Sequence, residues 1–328
     1  MTIQVKPSLP LGEERDDQTA AETPHNPTQL HRPAFLLNTP FSYSTDVANN
    51  AWMEELNKDE RTPNTTKAMV QFLELYSYLA ADSLVYLLPT PRIDGLQDLV
   101  FTANLGVVLE HVPGGDTVVL SNFTSEPRRG ETEIGLRFFE SMGYRTFVPE
   151  TKFEGEAELK HLYDNVYVGG YGLRSQPETY DWMERTFDMK VVKLRLTDPY
   201  LYHLDCTVFP LTREQTLVCT EMYEEDELEE LEKHTEVIDV SPDASTSGIC
   251  NSVRLHNTIV NASNIHDLKA GTEDYDLEVA KNRTLEDIAA KYAFELALIN
   301  LSEYHKGGAL LSCMVMHLNR SSYAFQLI

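Results

Sequence analysis

Residues 98–109, DLVFTANLGVVL, read as a short apolar strand, a polar residue at its end (Asn104), a glycine turn and a returning strand. The scheme returns at residues 164–175 (DNVYVGGYGLRS), 204–219 (LDCTVFPLTREQTLVC), 250–262 (CNSVRLHNTIVNA) and 312–320 (SCMVMHLNR). Helical stretches lie between the copies, at 132–142, 179–187, 226–232 and 285–294. Around five ββ-plus-α units in succession predict a closed, quasi-symmetric α/β arrangement rather than a doubly wound sheet. Rotational symmetry brings the strand ends of all units to one central point, the natural place for a site.

The whole chain sets the bounds. At 328 residues and 42% hydrophobic it can build one large domain or two ordinary ones. Lys plus Arg number 27 against 52 Asp plus Glu, a net charge of −25 that argues against nucleic acid or an anionic membrane as partner. That balance suits a small cationic substrate. Cys206, Cys219, Cys250 and Cys313 lie far apart without a CxxC pair, so reduced thiols in a cytoplasmic protein are expected. There is no membrane-length apolar run and no secretory-signal core.

Residues 1–32 are polar and proline-bearing, and they read as a disordered tail before a single domain at 33–328. The domain opens with an apolar strand and a loop that ends at Asn49, Asn50 and Trp52. Residues 64–81 carry helical spacing through Met69, Phe72, Leu73, Tyr76 and Leu79, with Thr65 or Thr66 as cap. A buried strand is expected at 84–88. Two stretches read as insertions: the acidic helix at 224–232, taken as a solvated face, and an excursion loop or short extra helix at 264–282.

The chemistry-bearing residues come from different copies. Cys313 follows Gly307 and Gly308 on a strand-like apolar run, which can present a thiol at a cavity rim, although free cysteine often serves as a small buried hydrophobe. Glu154, Glu156 and Glu158 in FEGEAE can hold a cation or share acid/base work. On a strand, His203 and Asp205 in YHLD would point to one face. HExxH, a Cys/His cluster, a Walker lysine and GxSxG are all missing, so neither metal nor cofactor is expected.

Together FTAN (101–104), FEGEAE (153–158), YHLD (202–205), CNSV (250–253) and GGALLSC (307–313) resemble the guanidine-modifying superfamily of pentein fold, a five-fold pseudosymmetric α/β propeller. The resemblance spans roughly residues 35–320. Within the superfamily the chain is most similar to arginine dihydrolases, through NNAWM, VFTANLG, RRGE and YVGGYGLRS as well. Most deiminases place aspartate where this chain has Asn104, and the amide fits the dihydrolase branch. Glu158 stands where aspartate is usual. The resemblance implies that Cys313 attacks the guanidinium carbon as thiolate and that His203 protonates departing ammonia, then activates water. Glu154 and Asp205 would grip the guanidinium and orient His203. Asn50, Asn104, Asn251 and Glu158 would contact substrate, and Arg128 would pair with its α-carboxylate. The expected reaction takes L-arginine to ornithine, carbon dioxide and ammonia. Deiminase or dimethylarginine hydrolase chemistry giving citrulline, or amidino transfer to an amine, remain alternatives. The expected partner is a small guanidine, and a homo-oligomer stays open.

Overall fold

The computed structural model describes residues 26–324. Among the described residues, fifteen strands form five three-stranded sheets. Strands β1 (Ala34–Asn38) and β2 (Leu84–Leu88) pair in parallel. β3 (Gly106–Val108), β4 (Thr117–Leu120) and β5 (Arg145–Phe147) form the second sheet, and β6 (Leu159–Tyr163), β7 (Val166–Tyr171) and β8 (Lys190–Arg195) the third. The fourth holds β9 (Val208–Pro210), β10 (Gln215–Val218) and β11 (Glu236–Asp239), and the fifth β12 (Ser252–Leu255), β13 (Thr258–Ala262) and β14 (Glu295–Ile299). In each of these four an antiparallel pair is followed by a helical crossover to a parallel third strand. The first sheet obtains its antiparallel member from the far end of the chain, β15 (Met316–His317), which pairs with Phe35 and Leu36. That pairing closes the ring. It also carries Cys313, three residues upstream of β15, to the first unit.

The five-unit expectation holds, but its phase does not. Asp98–Phe101 is not a strand; Thr102–Asn104 is a single 3-10 turn and the first strand begins only at Gly106. Residues 164–175 contain one strand, β7, because the matching unit begins earlier at Glu154. The expected insertions also belong to the units. Helix Glu225–Glu232 is acidic outward, yet Leu228 and Leu231 seat it against the apolar cluster of the third and fourth sheets. The stretch 264–282, read as an excursion loop or a short extra helix, does enter a helix, but that helix is the 19-residue Glu273–Lys291, whose Leu285, Ile288 and Ala289 face the core. Its N-terminal half is so charged that helical periodicity is masked.

Helix Thr65–Asp82 is capped by Asn64, which accepts from Lys67 N–H, and not by a threonine. It buries Phe72, Leu75 and Leu79 while Leu73 stays half exposed, so the buried face is rotated from the expected one. β2 is an edge strand on which only Leu88 is buried, where a fully buried strand was expected.

The packed chain starts before residue 33. Thr28 Oγ1 lies 2.7 Å from both Leu318 O and Tyr144 Oη, and Gln29 donates to Gly114 O. Buried Asn319 donates to the carbonyls of Pro27, Leu30 and Arg32. Residues 26–32 are therefore part of the body, and the remainder of the expected tail lies outside the described residues. Truncating a chain that starts at residue 26 back to residue 33 strands the Asn319 amide. At about 1–3 kcal/mol for a buried donor left unpaired, melting is expected to fall by several degrees, read by scanning calorimetry.

Candidate active site

The candidate side chains sit on short turns that precede the first strand of each unit. These are the 3-10 turns Thr102–Asn104, Gly155–Ala157, Leu204–Cys206 and Ser312–Met314, with a tight turn through 248–251 in the fifth unit. The turns gather at the ring axis. Gly155 shows why the fit is close. Its φ is +68°, and a Cβ there would stand 2.6 Å from Ala103 O, so only glycine lets the Glu154 turn nest on the Asn104 turn.

Cys313 is buried, on a 3-10 turn and not on the expected strand. Asn251 Nδ2 approaches its Sγ at 3.4 Å, and the thiol reaches Asp205 Oδ2 at 3.4 Å. Asn251 also accepts from Ser312 N–H at 2.7 Å, and Ser312 Oγ donates to Asp205 at 2.6 Å. Two neighbours thus fix the sulfur from both sides. Burial, and then the Asp205 charge, push the thiol up to about 12. At neutral pH the resting group is therefore the thiol, and a positive charge beside it would favour the thiolate.

His203 lines the same space as Cys313 but bonds elsewhere. Its Nε2 meets Glu154 Oε2 at 2.8 Å, and its Nδ1 lies 3.5 Å from Asn104 Nδ2. Burial holds the imidazole below its ordinary value against the pull of Glu154. Burial works against the Glu154 carboxylate too, but His203, Arg174 and Arg128 outweigh it and hold its pKa at about 2. His203 and Asp205 do not share a strand face. His203, just before the 3-10 turn Leu204–Cys206, reaches Glu154, while Asp205, inside the turn, reaches the sulfur.

The carboxylates of FEGEAE also separate. Glu156 turns away to His317 Nδ1 at 2.6 Å and Arg320 at 2.9 Å. Glu158 lies behind Leu204, whose N–H it accepts at 3.3 Å, and its Oε1 has no partner. It lines neither void at the sulfur, contrary to expectation, and burial followed by the Glu154 charge pushes it well toward the neutral acid.

The outer end of the site holds residues the sequence reading passed over. Arg174 donates to Asn49 O at 2.6 Å, stands 3.6 Å from Glu154 and lies over the Tyr202 ring at 4.7 Å. Asp98 accepts from Asn49 at 2.6 Å. Arg128 does reach this void, but Glu131 takes its guanidinium at 2.8 and 3.1 Å and the Asp98 and Phe101 carbonyls take more, leaving mainly Nη1 for a ligand. Asn50 caps helix Ala51–Glu55 and donates to Gly307 O at 2.9 Å. Arg174 was legible only as part of the glycine-rich YVGGYGLRS, where the glycines drew the reading. All four described cysteines are free. No His/Cys/Asp/Glu group among the described residues forms a metal cage, and no described helix is long and apolar enough to cross a membrane.

Residues 38–320 match the sequence profile of eukaryotic N,N-dimethylarginine dimethylhydrolases. The chain belongs to that family. Its ring of five sheets is the pentein fold. A bifunctional arginine dihydrolase/ornithine cyclodeaminase from Nostoc sp., AgrE, is 36% identical over 181 residues, 54% of this chain and 24% of the relative. The Synechocystis counterpart, ArgZ, is 27% identical over 285 residues, 86% of this chain and 37% of the relative. The matched stretch thus spans about a quarter to just over a third of the length of these curated relatives. The solved N-terminal domain of ArgZ, an arginine dihydrolase captured as a cysteine-to-serine variant bound to substrate, superposes with a TM-score of 0.75 at 25% identity, covering 88% of this chain and 98% of that one.

In this dimethylarginine-hydrolase family member the raised thiol makes a pH prediction. A group held near 12 is protonated through neutral pH, and its thiolate fraction rises tenfold per pH unit below that value. Iodoacetamide labelling of Cys313 in the free protein, followed by peptide mass spectrometry, is expected to rise with unit slope from pH 7 to 10. A plateau reached by pH 8 would contradict the assignment.

Proposed function

We propose that this protein hydrolyses the guanidinium of L-arginine twice, releasing ornithine, carbon dioxide and two ammonia for two waters consumed. The observation that carries this reading is that a buried Cys313, held by Asn251 and Asp205 at 3.4 Å, shares one cavity with His203, whose imidazole is bonded to Glu154 behind it. A guanidinium beside the sulfur supplies the positive charge that the thiol lacks, so substrate binding itself generates the thiolate. His203 takes the Cys313 proton as the sulfur attacks the central carbon and the C–S bond forms, and the resulting imidazolium passes that proton to the ammonia as its C–N bond breaks. The same imidazole then takes a proton from water as that water displaces the sulfur. Arg174, with Nη1 of Arg128, suits an α-carboxylate, and Asp98 suits the α-ammonium.

Asn104 is what favours two hydrolyses over one. A carboxylate at 3.5 Å from His203 would favour a cation and reject the neutral ureido product. An amide both donates and accepts, so it can hold that product for a second attack. Asn104→Asp is expected to shift the main product from ornithine to citrulline, followed by chromatography of both amino acids against time. A parent protein that stops at citrulline with one ammonia overturns the dihydrolase assignment. The family profile itself favours a second reading, hydrolysis of dimethylarginine to citrulline and dimethylamine. Parallel assays with arginine and dimethylarginine separate the two by kcat/KM.

A further inference from the structure

The two voids that touch Cys313 measure only about 10 and 30 Å³, space for roughly a water each. Beside them lies a cavity of about 420 Å³ whose lining includes none of the residues assigned to the proposed chemistry. Trp52, Thr246, His305 and Leu310 line both this cavity and the void against Cys313, forming the wall between the two.

The cavity has a built polar floor. Glu278 and Lys281, 6% and 1% exposed, line it and pair at 2.8 Å, and Lys281 also donates to Ala262 O at 2.6 Å. Only Oε1 of Glu278 is engaged; its other oxygen accepts no hydrogen bond from a described residue. The exposed carboxylates of Glu55 and Asp274 line the cavity too. Glu55 receives the Tyr200 hydroxyl, and Asp274 has no ion-pair partner among the described residues. Lys306, the other lysine of the lining, is satisfied by Glu303 at 2.8 Å. With Lys306 neutralised by Glu303, the three carboxylates outnumber Lys281 and leave the lining net negative. The aromatic component is Trp52, oriented by its indole N–H on Tyr200 O at 2.9 Å. Leu56, Leu277 and Leu301 supply apolar wall. An aromatic face among carboxylates recognises an organic cation, and the leucines suit an aliphatic stem.

We propose that this cavity is a second, non-covalent binding site for an aliphatic amine or guanidine cation of amino-acid size, lying against the wall of the Cys313 chamber. Glu278 and Asp274 take the cationic end, Trp52 lies over it, and the stem runs along the leucines. The site holds its ligand without chemistry, so it stands whether or not the dihydrolase assignment does.

The chain has two tryptophans. Trp182 packs on Phe187 and lines no part of the cavity, so Trp182→Phe leaves Trp52 as reporter. In a Cys313→Ser, Trp182→Phe background, titration with L-ornithine or L-arginine is expected to give a saturable Trp52 fluorescence change. Asp274→Asn with Glu278→Gln should weaken that phase about tenfold or more, as expected for removing charge from an ammonium site. Asp274→Asn alone, on an exposed residue, should weaken it by a smaller factor and covers the case in which the buried substitution disturbs folding. A fluorescence change absent in the background protein, or one that both variants leave unaltered, overturns the proposal. Loss of arginine turnover with this phase intact would instead count only against the assigned reaction.

Discussion

Cys313→Ser is expected to lower arginine turnover by roughly three orders of magnitude or more, because a hydroxyl in this pocket stays protonated and is a poor nucleophile. The local geometry supports a clean test. The turn that carries Cys313 is held through Ser312 and Asn251, and neither bond involves the sulfur itself. The variant should therefore melt within a degree or two of the parent and still bind substrate. Intact-mass spectrometry of quenched turnover should show an amidino adduct on the parent and none on the variant. Substantial residual activity in Cys313→Ser would remove the cysteine from the chemistry and leave Cys206, the one thiol that is not fully buried, to be examined.

His203→Ala should cost roughly a thousandfold in kcat, within the range for removing a group that shuttles protons. Two steps depend on it. Without the imidazole the leaving nitrogen departs unprotonated and the attacking water keeps its proton, so any adduct that forms should persist. The buried Glu154 loses one partner but keeps Thr124 N–H at 3.0 Å and Arg174 at 3.6 Å, so the fold should stand and circular dichroism should match the parent. An adduct that forms and clears at the parent's rates would place the proton carrier elsewhere.

Much of this protein is written in its linear order. The repeating scheme around Asn104 and its later copies determines a ring of five units, because each unit alone exposes an apolar edge that only a neighbour can cover. The residue types of the candidate site were legible as well: Cys313, His203, Glu154, Asp205, Asn104 and Asn251 come together because each precedes or opens the first strand of a unit.

Direction and partnership were decided only in three dimensions. Alternation along a strand predicted one face for His203 and Asp205, but a single 3-10 turn sends them to different partners. Three glutamates spaced two apart look equivalent in sequence; Glu154 meets His203, Glu156 meets Arg320 and Glu158 is sealed behind Leu204. Arg128 and Arg174 are both glycine-neighbouring arginines, and only the fold shows that Glu131 occupies the first while Tyr202 and Glu154 orient the second. The antiparallel pairing of β1 with β15, 280 residues apart, is likewise a product of ring closure. Local pattern sets which residues a turn presents; which of several like charges faces the ligand depends on the long-range neighbours that neutralise the others.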